Sequence, residues 1–374
     1  MKIAYIVSNY NKRGGIERCT AELCERLCHD NEIHVYTRNF ESKQNLPIKF
    51  HKIRVSKLPS ILDCFSYFLF MIKATKEAKK GDFDIIHGGL EPDIITAHSC
   101  HRAWVEFKKR NGEFLRYLFN PAHHIILFLE NRVYKQNKFK KIIAVSTGVK
   151  EELIKYYNIP ESKIEVVPNG VDLSRFKKDT QKRKEIREKF GFLNNDFVLL
   201  FVGNEFRRKG LQFIIKALPE IEDKKVKLLV VGGANKKPYE KLAEKLGVFD
   251  RVLFVGKQKN TSDYYSATDI FVFPTLYEPF GLVILEAMAS SLPVITSKCA
   301  GIIENFTDDL KKYLLDNPRD SYELANKLNL LMQNPQEVEK LGNTSRKFSE
   351  EYSWNKNAER ITNIYREIEK SKRK

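Results

Sequence analysis

The chain has 374 residues, long enough for two hydrophobic cores rather than one, and 42% of them are apolar. Lys and Arg number 65 against 48 Asp and Glu, and the formal charge of +17 calls for an anionic partner: nucleic acid, anionic lipid or a phosphorylated substrate. No apolar run approaches the roughly 18 residues needed to span a bilayer. The opening MKIAYIVSNYNKRGG lacks a leader's long apolar region and cleavage site, so the expectation is a cytoplasmic protein. Six cysteines (Cys19, Cys24, Cys28, Cys64, Cys100, Cys299) show neither CxxC pairs nor metal-ligand spacing and read as reduced structural thiols.

In chain order, the first strand is predicted from Ile3 to Ser8, ending in the turn NYNKRGG, with a helix from about Ile16 to His29. Strands follow at EIHVYTR, FDIIHGG, ITAHS, KIIAVS and IEVVPNG, then DFVLLFVG, KLLVVGG, VLFVG, DIFVFP and PVITS. Helices are predicted for Thr147 to Tyr157, Gly210 to Leu218, Pro238 to Leu246, Ser262 to Ala267 and Leu282 to Ser290. β-Branched runs without polar alternation are the signature of parallel strands buried on both faces. Alternation with helices makes them doubly wound, Rossmann-like sheets, whose ligands lie beyond the carboxyl ends of the strands. The polar stretch VDLSRFKKDTQKRKEIREKFGF breaks the rhythm. The expected domains are therefore 1–172, 173–352 and a C-terminal amphipathic helix, 353–374, with Trp354, Ile361, Ile364 and Ile368 at helical spacing. The final KSKRK reads as a frayed, solvated tail.

Chemistry concentrates in two places in the second domain. In FVGNEFRRKG, Arg207, Arg208 and Lys209 follow a strand end just before a helix, an anion site suited to a diphosphate. In YEPFGLVILEAMA, Glu278 lies in a loop and Glu286 on the second turn of an apolar helix, where a bare carboxylate would cost several kcal/mol. A ribose diol would satisfy Glu286 through two charge-assisted hydrogen bonds, and a nearby Lys is the plainer alternative. The amides of Phe280, Gly281 and Leu282 are placed to hold a phosphate or sugar oxygen. Asp82-Phe83-Asp84 spells a metal-binding Asp-x-Asp but precedes its strand instead of following one, and reads as a turn. No metal or cofactor is expected, because cations and amides do the neutralising.

These motifs, with GGIER, IIAVSTGVKEEL, IEVVPNGVD and SSLPVI, resemble the retaining nucleotide-sugar glycosyltransferases of family 4, over essentially the whole chain. The resemblance implies a GT-B fold, with two doubly wound Rossmann-like domains facing across a cleft, the first for the acceptor and the second for the nucleotide sugar. It implies that Glu278 contacts the transferred hexose, Glu286 the ribose and Lys209 the diphosphate. Gly14 and Gly15 then form the loop that approaches donor and acceptor. The family's Gly-Arg is Gly203-Asn204 here, and Arg208 is the expected substitute for the missing cation. His98, in ITAHSCH, is the candidate to hydrogen-bond the sugar, with His87 and His101 as competitors.

The basic and aromatic stretch from His101 to Lys141, with Trp104, Lys108, Lys109, Arg110 and Arg116, suits an anionic membrane surface or the acceptor. It is similar to the corresponding part of lipopolysaccharide core glucosyltransferases, which implies UDP-glucose as donor, a saccharide or glycolipid acceptor, and a place on the inner face of the cytoplasmic membrane. Other readings of the charge and the paired sheets are a nucleic-acid-binding protein, for which no binding module is visible, and a nucleotide-sugar epimerase or phosphorylase.

Overall fold

The apolar runs form parallel strands in a computed structural model that describes residues 1–41, 45–56, 63–113, 117–193 and 195–373. Two compact units result, Met1–Gly170 with Trp354–Lys374, and Val171–Ser353. The first boundary falls two residues before the expected one. The Val171 amide donates to the Tyr352 carbonyl (2.7 Å), which fixes Val171 in the second unit.

Unit 1 contains β1 (Lys2–Ile6), β2 (Asn9–Tyr10), α1 (Gly15–Leu27), β3 (Glu32–Thr37), β4 (Asn39–Phe40), β5 (Ile48–Lys52), α2 (Asp63–Ala78), β6 (Ile85–His87) and β7 (Ile94–Ala97). It continues through α3 (His101–Arg110), α4 (Pro121–Gln136), β8 (Lys141–Ala144), α5 (Thr147–Tyr157) and β9 (Ile164–Val166). Its parallel sheet runs β5-β3-β1-β6-β7-β8-β9. Ile3 and Tyr5 enter one core layer with Leu23 and Leu27 of α1, while Ala4 faces Phe70, Ala74 and Ala78 of α2. Helices cover both faces, which is why β1 shows no polar alternation.

Unit 2 contains α6 (Thr180–Lys189), β10 (Val198–Val202), α7 (Leu211–Ala217), β11 (Lys227–Val231), α8 (Lys237–Lys245), β12 (Val252–Gly256), α9 (Ser262–Ala267) and β13 (Ile270–Phe273). Then come α10 (Leu282–Ala289), β14 (Val294–Ser297), α11 (Asp308–Lys311), β15 (Leu314–Leu315), α12 (Ser321–Met332) and α13 (Pro335–Glu350). The order is β12-β11-β10-β13-β14-β15, also parallel. In both units the chain changes winding direction beside the first strand, at β1/β6 and at β10/β13, the place where open α/β sheets bind ligands.

The last helix, α14 (Trp354–Arg373), belongs to unit 1. Ile361, Ile364, Tyr365 and Ile368 pack into the β1 core layer. The Tyr365 hydroxyl shares hydrogen bonds with the Tyr5 hydroxyl (2.6 Å) and His87 Nδ1 (2.5 Å), and His87 Nε2 meets Thr96 Oγ1 (2.9 Å). Gly170 makes room for this helix, because a Cβ there would stand 2.6 Å from the Trp354 backbone. The tail is not frayed: α14 runs on to Arg373, and Lys372 Nζ bonds Asp93 Oδ1 and the Asp84 carbonyl, both at 2.7 Å.

Burial holds His87 neutral, with its pKa lowered to about 3. The native state therefore binds fewer protons than the unfolded one below the ordinary histidine value, so stability falls as pH falls from 6.5. His87 alone should cost unit 1 roughly 2–3 kcal/mol between pH 6.5 and 4.5. Calorimetric unfolding over that range should show the loss, and His87→Asn should remove this share of it, leaving the shares of the other buried neutral histidines, His98 and His101.

Candidate functional site

The loop after β10 and the loop after β13 interlock at the winding switch of unit 2. Gly210 (φ 84°) lies so close to the second loop that a Cβ would stand 2.0 Å from the Pro274 carbonyl oxygen. The Leu276 amide donates to the Arg208 carbonyl (2.8 Å). The stretch 278–280 is zipped to 299–302: the Glu278 amide donates to Cys299 (3.0 Å), Gly301 to Glu278 (2.9 Å) and Ile302 to Phe280 (2.8 Å). Thr275 Oγ1 braces the turn by donating to the Tyr277 carbonyl (3.2 Å). These backbone bonds fix where Glu278 projects.

Its carboxylate meets two cations. Arg208 Nη1 lies 3.2 Å and Lys209 Nζ 3.8 Å from Glu278 Oε2. Lys209 reaches it by crossing Gly203, where a Cβ would stand 2.4 Å from Lys209 Cδ, and its ammonium sits 5.1 Å from the centre of the Phe273 ring. Burial lowers the Lys209 pKa, and Glu278 pulls it back. Burial also opposes charge on Arg208, but Glu278 and Glu205 overcome it and raise its pKa. Arg208, expected to stand beside a diphosphate, is bonded to Glu278, Glu205 and the Tyr277 carbonyl. Asn204, in the place of the family's Arg, accepts a bond from the Gly233 amide (2.9 Å) and joins the ends of β10 and β11.

Glu286 is buried on α10, 3% exposed. Its Oε2 accepts from the hydroxyl of Tyr265 on α9 (2.9 Å), a partner with no signal in the sequence because the two residues lie on helices 21 positions apart. Gly281 caps α10 in the left-handed region (φ 109°). The amides of Phe280, Gly281 and Leu282 precede the first amides that bond within this turn, those of Ile284 and Leu285 to Gly281. They carry the partial positive charge of the helix start. Glu278, Lys209, Glu286 and the start of α10 thus occupy one end of one sheet.

In unit 1 a cavity of about 450 Å³ opens at the ends of β1, β6 and β7, lined by Ser8, Thr20, Met71, His98, Leu129 and Glu130 among others. His98 faces it with its pKa lowered by burial to about 4, hence neutral, and has no side-chain hydrogen bond among the described residues. His87 is committed to Tyr365 and Thr96, and His101 Nε2 to His123 Nδ1 (3.1 Å), so of the three competitors only His98 is available to a ligand. Gly14 is the N-cap of α1 and Gly15 its first residue, next to the cavity residues Ile16 and Glu17.

In the basic patch expected at a membrane or an acceptor, two of the lysines have acidic neighbours. Lys108 lies over the Trp104 ring and 3.9 Å from Glu113, and Lys109 pairs with Glu106 (3.0 Å). Trp104, Lys108 and Lys109 are half-buried, Arg110 is exposed, and Arg116 lies outside the described residues. Lysines already matched by carboxylates are poor membrane cations. Asp84 of the Asp-x-Asp accepts from the Lys2 amide (2.7 Å), and no cluster of three metal-ligating side chains occurs among the described residues.

Comparison with known proteins adds the family. Residues 13–175 match the model described as Glycosyltransferase Family 4, and residues 182–348 the one described as Glycosyl transferases group 1. An uncharacterized glycosyltransferase of Methanocaldococcus jannaschii is 31% identical over 60% of this chain and 60% of its own. A D-inositol 3-phosphate glycosyltransferase of Xylanimonas cellulosilytica is 30% identical over 61% of this chain; the chain thus spans 57% to 60% of these two relatives. The lipopolysaccharide glucosyltransferase WaaG of Escherichia coli is 25% identical over 82% of this chain and 83% of its own. A crystal structure of WaaG superposes with a TM-score of 0.81 at 22% identity, covering 97% of this chain and 99% of that one. Anabaena HepE in complex with UDP and glucose gives 0.75 at 20% identity, covering 97% and 99%. At these identities the structures establish the fold, which is GT-B.

Glu278→Gln leaves two partly buried cations side by side without their shared counter-charge, and should destabilise unit 2 by about 2–4 kcal/mol. Adding Lys209→Met should recover part of that loss, so denaturant unfolding of the two single variants and the double variant should give a non-additive cycle.

Proposed function

Because this chain belongs to the GT-B glycosyltransferases, with a family-4 half followed by a group-1 half, we propose that it transfers a hexose with retention of configuration from a nucleoside diphosphate sugar, specifically UDP-glucose. The acceptor in this reading is a saccharide or lipid-linked sugar of the lipopolysaccharide-core kind. The observation that carries the proposal is Glu278 held between Arg208 and Lys209 at the strand ends, beside buried Glu286. The likeness to WaaG and to HepE with UDP and glucose supports the choice of donor and sugar.

In the mechanism, the Lys209 ammonium and the amides of Phe280 to Leu282 receive the diphosphate oxygens. Glu286 accepts from the ribose hydroxyls while Tyr265 holds its other side. Glu278, fixed by its zipped backbone, accepts from hydroxyls of the hexose. As the bond from the anomeric carbon to the phosphate oxygen breaks, negative charge grows where fixed donors already point, the kind of preorganisation that contributes most in such sites. The acceptor oxygen bonds to the anomeric carbon on the face the diphosphate leaves, and its proton passes to the departing phosphate oxygen. His98, neutral and facing the unit 1 cavity, hydrogen-bonds a sugar hydroxyl. With the charge met by side chains and amides, the reaction needs no metal in this proposal.

The membrane reading moves to another surface. On α2, Phe65, Leu69 and Ile72 form one exposed stripe that ends in Lys76, and on α4, Phe128 precedes Arg132 and Lys135 on an exposed stripe. Phe68 and Phe128 join the two helices edge to face (5.9 Å). An apolar band bounded by cations fits an anionic bilayer surface, and no helix among the described residues is long and apolar enough to cross one.

Four measurements test this reading. Proton NMR of the products with UDP-glucose should show an α-linked glucoside, and activity should survive EDTA; a β-linkage, epimerised free donor or rescue only by manganese would contradict it. Glu278→Ala should lower transfer by roughly 10²-fold or more. Phe65→Ser, Leu69→Ser and Phe128→Ser together should release the protein from phosphatidylglycerol vesicles, whereas Lys108→Ala with Lys109→Ala should have little effect on sedimentation.

A further inference from the structure

The turn between β7 and α3 is three residues long, His98-Ser99-Cys100, and α3 begins without a side-chain cap from its own N-cap residue, Cys100. The cap comes from elsewhere in the chain. Glu130, on α4, accepts from the His101 amide at Oε1 (2.8 Å) and from the Arg102 amide at Oε2 (3.3 Å). The hydroxyl of Tyr157, at the end of α5, donates to the same Oε2 (2.6 Å). One carboxylate therefore ties three helices to the turn that carries His98. A local Ser or Asp at position 100 would satisfy the same amides without fixing the turn to α4 and α5.

His98 depends on this tie because its own side chain supplies none: the imidazole has no hydrogen bond among the described residues and faces the cavity, whose wall Glu130 shares. With no side-chain hydrogen bond to orient it, the imidazole is aimed by the backbone of the turn and by the packing around it. We infer that Glu130, braced by Tyr157, is a positioning residue that holds the His98 imidazole in place for the sugar. This rests on the glycosyl-transfer reading of His98. Burial opposes the charge on Glu130, and the three donors that converge on it favour that charge. A glutamine there presents an N–H to at least one donor and breaks the arrangement, whereas an aspartate keeps the charge.

The test is a double-mutant cycle on transfer from UDP-glucose, with UDP binding measured by calorimetry on the same proteins. Glu130→Gln should lower kcat by about 10–100-fold, the size of loss that a misplacement near 1 Å produces, with the donor KM and the UDP Kd changed less than about 2-fold. Glu130→Asp should restore part of the rate. In a His98→Ala background, Glu130→Gln should cost less than about 3-fold, because the group it positions is gone. Full multiplicative losses, or a loss that follows thermal stability alone, would reduce Glu130 to a helix cap and overturn the inference. If His98→Ala leaves transfer unchanged while UDP still binds, the reading of His98 fails instead, separately from Glu130. Should Glu130→Gln not fold, Tyr157→Phe serves in the same cycle. The His98 ring resonance in ¹³C-histidine protein should shift in either variant, and an unmoved resonance would count against the inference.

Discussion

The loops at the winding switch of the second unit converge on a carboxylate shared by two cations at the end of a buried parallel sheet. Pairing Glu278 with Arg208 and Lys209 confines three ionised groups to a partly dehydrated place, an arrangement weak in net stability because desolvation offsets attraction. The surrounding chain is built to hold it. Gly203 gives Lys209 its path, Gly210 lets two loops pass, and the stretch 299–302 clamps the loop of Glu278. A constellation that contributes little to folding but is fixed this closely fits the proposed role of prepared charge, in which an incoming dianion would compete with Glu278 for Lys209 and leave Glu278 to the sugar.

In the first unit, three histidines are held neutral by burial. His87, His98 and His101 all have pKa values lowered by burial, to about 3, 4 and 4. His87 is used in the fold, since with Tyr5 and Tyr365 it fastens the last helix across a chain separation of 278 residues. His98 faces the cavity and is the ring proposed to meet a ligand. Both rings border the same cavity, and the division follows from their partners: His87 has hydroxyls at both nitrogens, and His98 has no side-chain hydrogen bond among the described residues.

Much of this was legible in the amino-acid order, for identifiable reasons. The strands buried on both faces declared themselves as unalternating β-branched runs, and Glu286 stood out because a charge in LVILEAMA has no cheap explanation. The edge strand Ile48–Lys52 escaped because IKFHK is half polar and only Ile48 is buried. Glu130, Tyr157 and Tyr265 were invisible because their roles arise between helices distant in sequence. The pairing of Lys108 and Lys109 with acidic neighbours was likewise hidden, since a basic run shows its charges but not their partners. Lys372 made the opposite point, a tail cation that the fold puts to use.

In the proposed reading, Glu278 keeps the cation pair in readiness and gives Lys209 up to a diphosphate. Calorimetric titration of UDP into the wild-type protein and Glu278→Gln tests it most directly. UDP should bind the variant more tightly, because its phosphates no longer compete with a carboxylate, while glucose transfer is lost. Affinity for UDP falling together with activity would contradict it.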